Sequence, residues 1–346
     1  MQEGNRFAQM VSFAGYLPEK QVTTKSFAGV DDLPMSLDFV RLTGINSHHE
    51  VSKGQGSFEL AIEAANKALN RANLEASSID LIINASVSKM DKDLSQHLSP
   101  SYATLIANEL GAKNAQTFDV SNACASMMTS LMIAESRIKS GKADYALVVS
   151  GEYITPIIHE AKRRNLYLFP RALASLTVGD GAAAYILGPS KESGRIRFSE
   201  PFTLAQYNKH CIGQASKKHR GPKMRTKARD LQNGVLNNLG IFLQRAVKHM
   251  DLKWEKIDHT YSHPTTPKAV NKGAKIAIEI FGEINFLHND SADTANTAST
   301  THGVLLEKSQ NSGYLNSNET TFMVSFGSGL AIMAMHFNLP EGVEKW

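Results

Sequence analysis

The strongest constraint on this chain is that it repeats itself. Residues Ala64 to Ser86 read as a helix, then Leu74, then Ile79-Asp80-Leu81-Ile82-Ile83-Asn84 as a buried strand. Residues 235 to 264 follow the same plan, with a helix to Met250, then Leu252, then Ile257-Asp258 and a strand to Ser262. Leucine precedes Ile-Asp by five residues in both copies. A second echo pairs Gly179-Asp180-Gly181-Ala182-Ala183-Ala184 with Gly327-Ser328-Gly329-Leu330-Ala331-Ile332, each a glycine turn feeding an apolar strand. Self-similarity on this scale is read before anything else, and helices alternating with strands indicate a layered α/β architecture. At 346 residues the chain also exceeds one simple core. Two similar α/β halves are expected, residues 1–190 and 191–346, with the boundary near Pro189 to Arg195.

Several functional classes are excluded early. No apolar run approaches the roughly 18 residues of a membrane span, and Met1 to Arg6 lacks the basic-then-apolar plan of a secretory signal. Two cysteines make no disulfide framework, so a reduced, cytoplasmic protein is expected. No His/Cys cluster has zinc-site spacing, and neither metal nor cofactor is expected. The net charge of +4 is unevenly placed. Lys217, Lys218, Arg220, Lys223, Arg225, Lys227 and Arg229 fall within one acid-free stretch, leaving the remainder net negative. No aromatic residues interleave with them, which argues against nucleic acid. The stretch is either a solvated basic loop or a landing site for an acidic or phosphate-bearing partner.

Chemistry concentrates at Cys124. It lies where an extended stretch, Thr117 to Ser121, gives way to a helix marked by Met127, Met128, Leu131, Met132, Ala134 and Ile138, with Gly141 as its stop. A cysteine in the first turn of such a helix meets free N–H groups and the positive dipole end, which predicts a thiol pKa lowered from roughly 8.5. The alternative is a buried structural thiol. Duplication puts His263, in Tyr261-Ser262-His263-Pro264, opposite Ala85 at a strand end, where open α/β sheets place chemistry. Asn296 follows in a small, polar loop entering a helix, so that Cys124, His263 and Asn296 form a complementary set.

The whole pattern resembles the condensing enzymes of the thiolase superfamily, specifically β-ketoacyl–acyl carrier protein synthase III. The resemblance runs through Leu42-Thr43-Gly44-Ile45, Pro100-Ser101-Tyr102-Ala103, Phe118-Asp119-Val120 with Cys124, and Val148-Val149-Ser150-Gly151-Glu152. It continues through Val178-Gly179-Asp180-Gly181-Ala182, His263, Ala295-Asn296-Thr297-Ala298-Ser299 and Phe326-Gly327-Ser328-Gly329. It implies a duplicated thiolase-like fold in α-β-α-β-α layers, acting as a homodimer on acyl carrier protein, acyl-CoA or both. Cys124 would carry the acyl group, and the backbone N–H groups of Cys124 and Ser328 would form the oxyanion hole. His263 and Asn296 would donate to the thioester oxygen as a malonyl thioester loses carbon dioxide and condenses. Thiolases use a second cysteine near the last glycine turn, which is absent here, and Cys211 reads as incidental. Hydroxymethylglutaryl-CoA synthases need a glutamate near the first-half strand end, where Asn84-Ala85-Ser86 offers none.

Departures from the family point to a changed donor. The positions that hold the CoA nucleotide fall on Asp38 and Leu42 by spacing, with Arg41 adjacent, and Lys268 replaces an arginine. A carrier protein docking on Lys217, Lys218, Arg220 and Arg225, with Lys268 near the phosphopantetheine, is the expected donor. Arg163, Arg164, Tyr167 and Phe169 occupy the family's cap over the site. Two alternatives stay open: acyl transfer to an alcohol or amine with His263 as base, and a non-catalytic subunit of a heterodimeric synthase.

Overall fold

A computed structural model describes residues 6–27, 38–163, 170–217 and 220–346. Two sheets carry it. In the first, β1 (Phe7–Tyr16), β2 (Leu81–Asn84), β3 (Gln116–Asp119), β4 (Ala146–Glu152) and β5 (Gly181–Ser190) lie in the order β1-β5-β4-β2-β3. In the second, β6 (Ile196–Phe198), β7 (His259–Ser262), β8 (Leu287–His288), β9 (Thr320–Gly327) and β10 (Ala331–Asn338) lie in the order β6-β10-β9-β7-β8. Strand directions match as well: the first two pairings of each order are antiparallel and the last two parallel. β2 and β4 are buried along their whole length, as parallel strands covered on both faces must be.

The repeated Ile-Asp has the same task in both halves. Asp80 donates its N–H to Tyr145 O at 2.9 Å and accepts from Asp144 N at 2.7 Å. Asp258 donates to Thr320 O at 2.9 Å and accepts from Thr320 N at 2.7 Å. Each aspartate thus satisfies backbone groups where a neighbouring strand begins, which leaves no orphan at the sheet end. At the other end, Ala85 donates to Val149 O and His263 to Val324 O, both at 2.8 Å.

Helices complete five layers. α1 (Ser57–Ala72) packs on β1, β4 and β5, and α2 (Ser126–Lys139) lies between the sheets, touching β1, β4, β5 and β10. α3 (Ala228–His249) and α4 (Pro267–Phe281) pack together, with α3 against β10. α5 (Thr301–Asn311) joins α2 in the central layer, against β1, β5 and β7. The layers approach closely where side chains vanish. A Cβ on Gly303 of α5 would come 2.4 Å from Ala183 Cβ, and one on Gly15 of β1 would come 2.6 Å from Gly303 O. Glu307, one turn on, accepts from Gly15 N at 3.0 Å and from Arg71 at 2.6 Å and 2.9 Å, tying α5 to β1 and α1. No helix among the described residues is long and apolar enough to cross a membrane.

Candidate active site

The chain turns sharply between β3 and α2, and Cys124 sits on that turn. Ala123 takes φ 49°, the left-handed region that costs an alanine strain. Two bonds through one hydroxyl hold it: Asn122 N donates to Ser126 Oγ at 2.7 Å, and Ser126 Oγ donates to Ala123 O at 2.6 Å. Helix α2 starts at Ser126 with Ala125 as its N-cap, so Cys124 lies just ahead of the first turn rather than within it. Its thiol is correspondingly not activated at rest. Burial, with smaller contributions from the charges of Cys211 and Glu152, pushes it up to about 12. Desolvation of a thiolate here outweighs what the helix end supplies.

Those two neighbours lie outside the set of site residues read from the sequence. Cys211, expected to be incidental, lies close enough to Cys124 to raise its pKa; its own Sγ is 3.4 Å from Thr226 Oγ1. Glu152, from β4, puts a buried carboxyl beside the strand end that carries no acid of its own. It accepts from Val87 N at 2.8 Å, Ser88 N at 2.9 Å, Ser88 Oγ at 2.7 Å and Ser299 Oγ at 2.5 Å. Burial raises its pKa, against the pull of these donors. With both oxygens engaged, Glu152 holds loops together and has no lone pair directed at a substrate.

His263 follows β7 directly and is 3% exposed. Neither ring nitrogen has a hydrogen-bond partner among the described residues. Burial, and then the nearby His302, lowers its pKa to about 3, so the ring is neutral with one N–H to donate. Asn296 lies in a loop where Ala295 and Ala298 take φ 56° and 54°. Its Oδ1 accepts from Ala298 N at 2.9 Å and from Thr301 Oγ1 at 3.3 Å. That fixes the amide and leaves its NH2 without an acceptor among the described residues.

Strand β9 draws these pieces together. Val324 O receives the His263 N–H, and the next residue, Ser325, donates its hydroxyl to Cys124 O at 3.3 Å. Gly327 then lies flush against the cysteine turn, where a Cβ would stand 2.6 Å from Asn122 O. Ser328 follows, its N–H without a main-chain acceptor among the described residues, while the Cys124 N–H lies beside its own thiol. Ala295 and Ala298 pack in the same apolar cluster as Cys124, Phe39, Ile154, Leu176 and Met224. Cys124, Asn296, His263 and Ser328 therefore share one site. His302, Thr301, Ser325 and Glu152 belong to it as well and were missed in the sequence, because what places them there is tertiary contact.

The basic stretch forms a hairpin, Cys211–Ala215 with Pro222–Thr226. Met224 faces the site's apolar cluster, whereas Arg225, next along the strand, is exposed, as are Lys217 and Arg220. Lys218, Arg164, Tyr167 and Phe169 lie outside the described residues; Arg163 is exposed and 3.8 Å from Glu160. Lys268, in α4, donates to the main-chain carbonyl of Arg41. Asp38 is an N-cap, accepting from Arg41 N at 2.9 Å, which explains an acid at that position. Leu42 is 57% exposed.

Comparison with known proteins agrees with this geometry. The sequence profile of 3-oxoacyl-[acyl-carrier-protein (ACP)] synthase III matches residues 118–202. The β-ketoacyl-[acyl-carrier-protein] synthase III of Clostridium perfringens is 27% identical over 347 residues, covering 93% of this chain and 96% of that protein. The Xylella fastidiosa synthase III is 34% identical over 189 residues, 54% of this chain and 53% of its own length. Among solved structures, Xanthomonas campestris OleA superposes with a TM-score of 0.85 at 23% identity, covering 98% of this chain and 100% of that one. A priming β-ketosynthase from a polyketide biosynthetic pathway gives 0.83 at 22% identity, with 97% of each chain covered. These two likenesses speak for the fold.

Proposed function

We propose, for a chain that is a synthase III-like, acyl-transferring condensing enzyme of the thiolase superfamily, that it joins a Cys124-bound acyl group to a malonyl thioester by decarboxylative Claisen condensation. The observation that carries this reading is a pair of neutral N–H donors, the His263 ring and the Asn296 amide, free of acceptors among the described residues and beside a partly buried thiol.

In the first half-reaction Cys124 Sγ attacks an acyl thioester and forms a new C–S bond. The donor's thiolate leaves and takes up the proton that Cys124 loses. The Cys124 and Ser328 N–H groups receive the oxyanion of the tetrahedral intermediate. In the second, a malonyl thioester loses carbon dioxide, and the charge left on its thioester oxygen is met by His263 and Asn296. The resulting carbanion attacks the acyl carbonyl, a C–C bond forms, and the C–S bond to Cys124 breaks. The released thiolate regains one proton from solvent, which a pKa of about 12 strongly favours. Donors fixed in a dry site need no reorganisation, and losing one costs a factor of about 100–1,000 in rate.

Acyl transfer to an alcohol with His263 as base fits less well. A ring whose pKa is held at about 3 is a poor proton acceptor at neutral pH, though a competent hydrogen-bond donor. Lys217, Arg220 and Arg225 give an acidic acyl carrier protein its landing surface, with Lys268 and Arg41 near a phosphate, and the enzyme works as a homodimer. Intact-protein mass after incubation with acyl-CoAs and acyl-carrier proteins tests the first half-reaction. An adduct absent from Cys124→Ala supports it, and no adduct from any donor rejects it.

A further inference from the structure

His302 is the second imidazole of the site, and nothing in the chemistry above uses it. It stands in the first turn of α5 and is 6% exposed. Its ring centre lies 5.9 Å from that of His263, tilted by 41°, and no hydrogen bond joins the two rings. Its Nε2 lies 3.0 Å from Val324 O, an acceptor only, so Nε2 carries the proton. Burial lowers its pKa to about 4, although that carbonyl contact pulls the other way, and the ring is therefore neutral over the working range.

The carbonyl it holds has an unusual load. Val324 O already receives the His263 main-chain N–H at 2.8 Å. In the first half the corresponding Val149 O receives the Ala85 N–H at 2.8 Å, and no side chain adds to it. The extra donor is thus confined to the copy of the motif that bears the site. Its chain neighbour Thr301 bonds Asn296 Oδ1 at 3.3 Å, so one turn of α5 touches both the holder of His263 and the amide of Asn296. Cys124 is secured to the next residue of β9, through Ser325 Oγ, in a bond that does not involve α5.

We infer that His302 is a positioning residue for the condensation half-reaction: its Nε2–H clamps α5 to β9 and thereby keeps Asn296 and His263 in mutual register. This rests on the condensation reading above. Both donors must meet one thioester oxygen, whereas acylation depends on Cys124 and the oxyanion hole, whose own ties to β9 run through Ser325 and Gly327 and do not involve α5. Misplacement of a catalytic group by about 1 Å costs on the order of 100-fold. Loss of the clamp leaves Val324 O its main-chain partner, so no buried acceptor is orphaned.

The test measures the two half-reactions separately on His302→Val, His302→Gln and His302→Asn. Cys124 acylation is read by intact mass, and condensation by product formation from pre-acylated enzyme and a malonyl thioester. A glutamine Nε2 can reach Val324 O as the imidazole Nε2 does, whereas an asparagine amide is too short. Expected are acylation within about 3-fold of the parent in all three, and condensation down about 10–100-fold in the valine and asparagine variants. The glutamine variant should recover most of that loss, and it serves as the folded comparison if His302→Val is unstable. Equal loss of both half-reactions, no loss in condensation, or no difference between glutamine and asparagine overturns the inference. A parent enzyme that acylates but never condenses instead overturns the functional reading on which it stands.

Discussion

Gly327→Ala isolates the contact on which the proposed oxyanion hole depends. Gly327 needs no unusual backbone angle; what it lacks is room. An added Cβ would stand 2.6 Å from Asn122 O and 3.1 Å from Ala125 Cβ, both parts of the turn that presents Cys124, and ordinary contact begins at 3.4 Å. Strand β9 and the turn must therefore separate by about 0.8 Å, the shortfall between 3.4 Å and 2.6 Å. Overpacking of this kind costs about 1–3 kcal/mol of stability. The larger effect should be kinetic, because Ser328 N–H moves with β9 while Cys124 N–H stays with the turn. A displacement near 1 Å predicts acylation slowed on the order of 100-fold. Gly213, in the hairpin, has nothing within 4 Å of its would-be Cβ and serves as the control. The assay is the rate of acyl-adduct formation on Cys124 by intact mass, alongside a thermal melt. Gly327→Ala acylating as fast as Gly213→Ala, with its melt lowered or not, would refute the assignment of that N–H.

Other expectations are more compact. Iodoacetamide alkylation of Cys124 should rise about tenfold per pH unit from pH 7 to 9 without levelling, because burial holds the thiol near 12; a plateau by pH 8 contradicts this. Burial raises the Glu307 pKa, but Arg71, Lys67 and Gly15 N–H more than reverse that, and the folded value is lowered. Its stabilisation is then present above the unfolded value of roughly 4.3 and lost as pH falls through the lower folded one. Glu307→Gln should cost about 3 kcal/mol at pH 7, since Glu307 and Arg71 are each 9% exposed, and the gap should narrow below about pH 4 in chemical denaturation. A gap independent of pH argues against it. Reversing Lys217, Arg220 and Arg225 to glutamate should raise KM for a carrier-borne donor about tenfold, salt-dependently, with CoA donors unaffected. An equal rise for both donors excludes carrier docking there.

Much of the fold could be read in the sequence because duplication writes the same physical solution twice. Ile79-Asp80 and Ile257-Asp258 begin equivalent strands, and the two aspartates make the same backbone contacts. Register between the halves placed His263 at a strand end, and the small polar run up to Thr300 does enter a helix. Electrostatics were harder. The expected lowering at Cys124 considered only the helix end, and burial together with Cys211 and Glu152 reverses its sign. Glu152 reads in the sequence only as the end of a motif and not as a site residue, because it comes from the strand next to the one inspected, and sequence spacing does not convey neighbourhood across a sheet. His302 had one available signal, a position in the first turn of the helix that follows Asn296. Its importance depends on Val324, 22 residues away in sequence.

The position of α5 bears on how the polypeptide comes off the ribosome. This helix belongs to the second half of the sequence, yet its glycine face lies against β1 and β5, and Glu307 is anchored on Gly15 and Arg71. Until residue 311 has been made, the central-layer face of the first sheet has α2 over it but lacks α5. That face, built from β1 and β5, includes Phe13, Ala183 and Tyr185, all buried in the finished protein. Synthesis at about 5–20 residues per second leaves it incompletely covered for many seconds after Ser190. Expressed alone, the N-terminal half would be expected to associate through the part of that face that α5 covers, or to engage a chaperone.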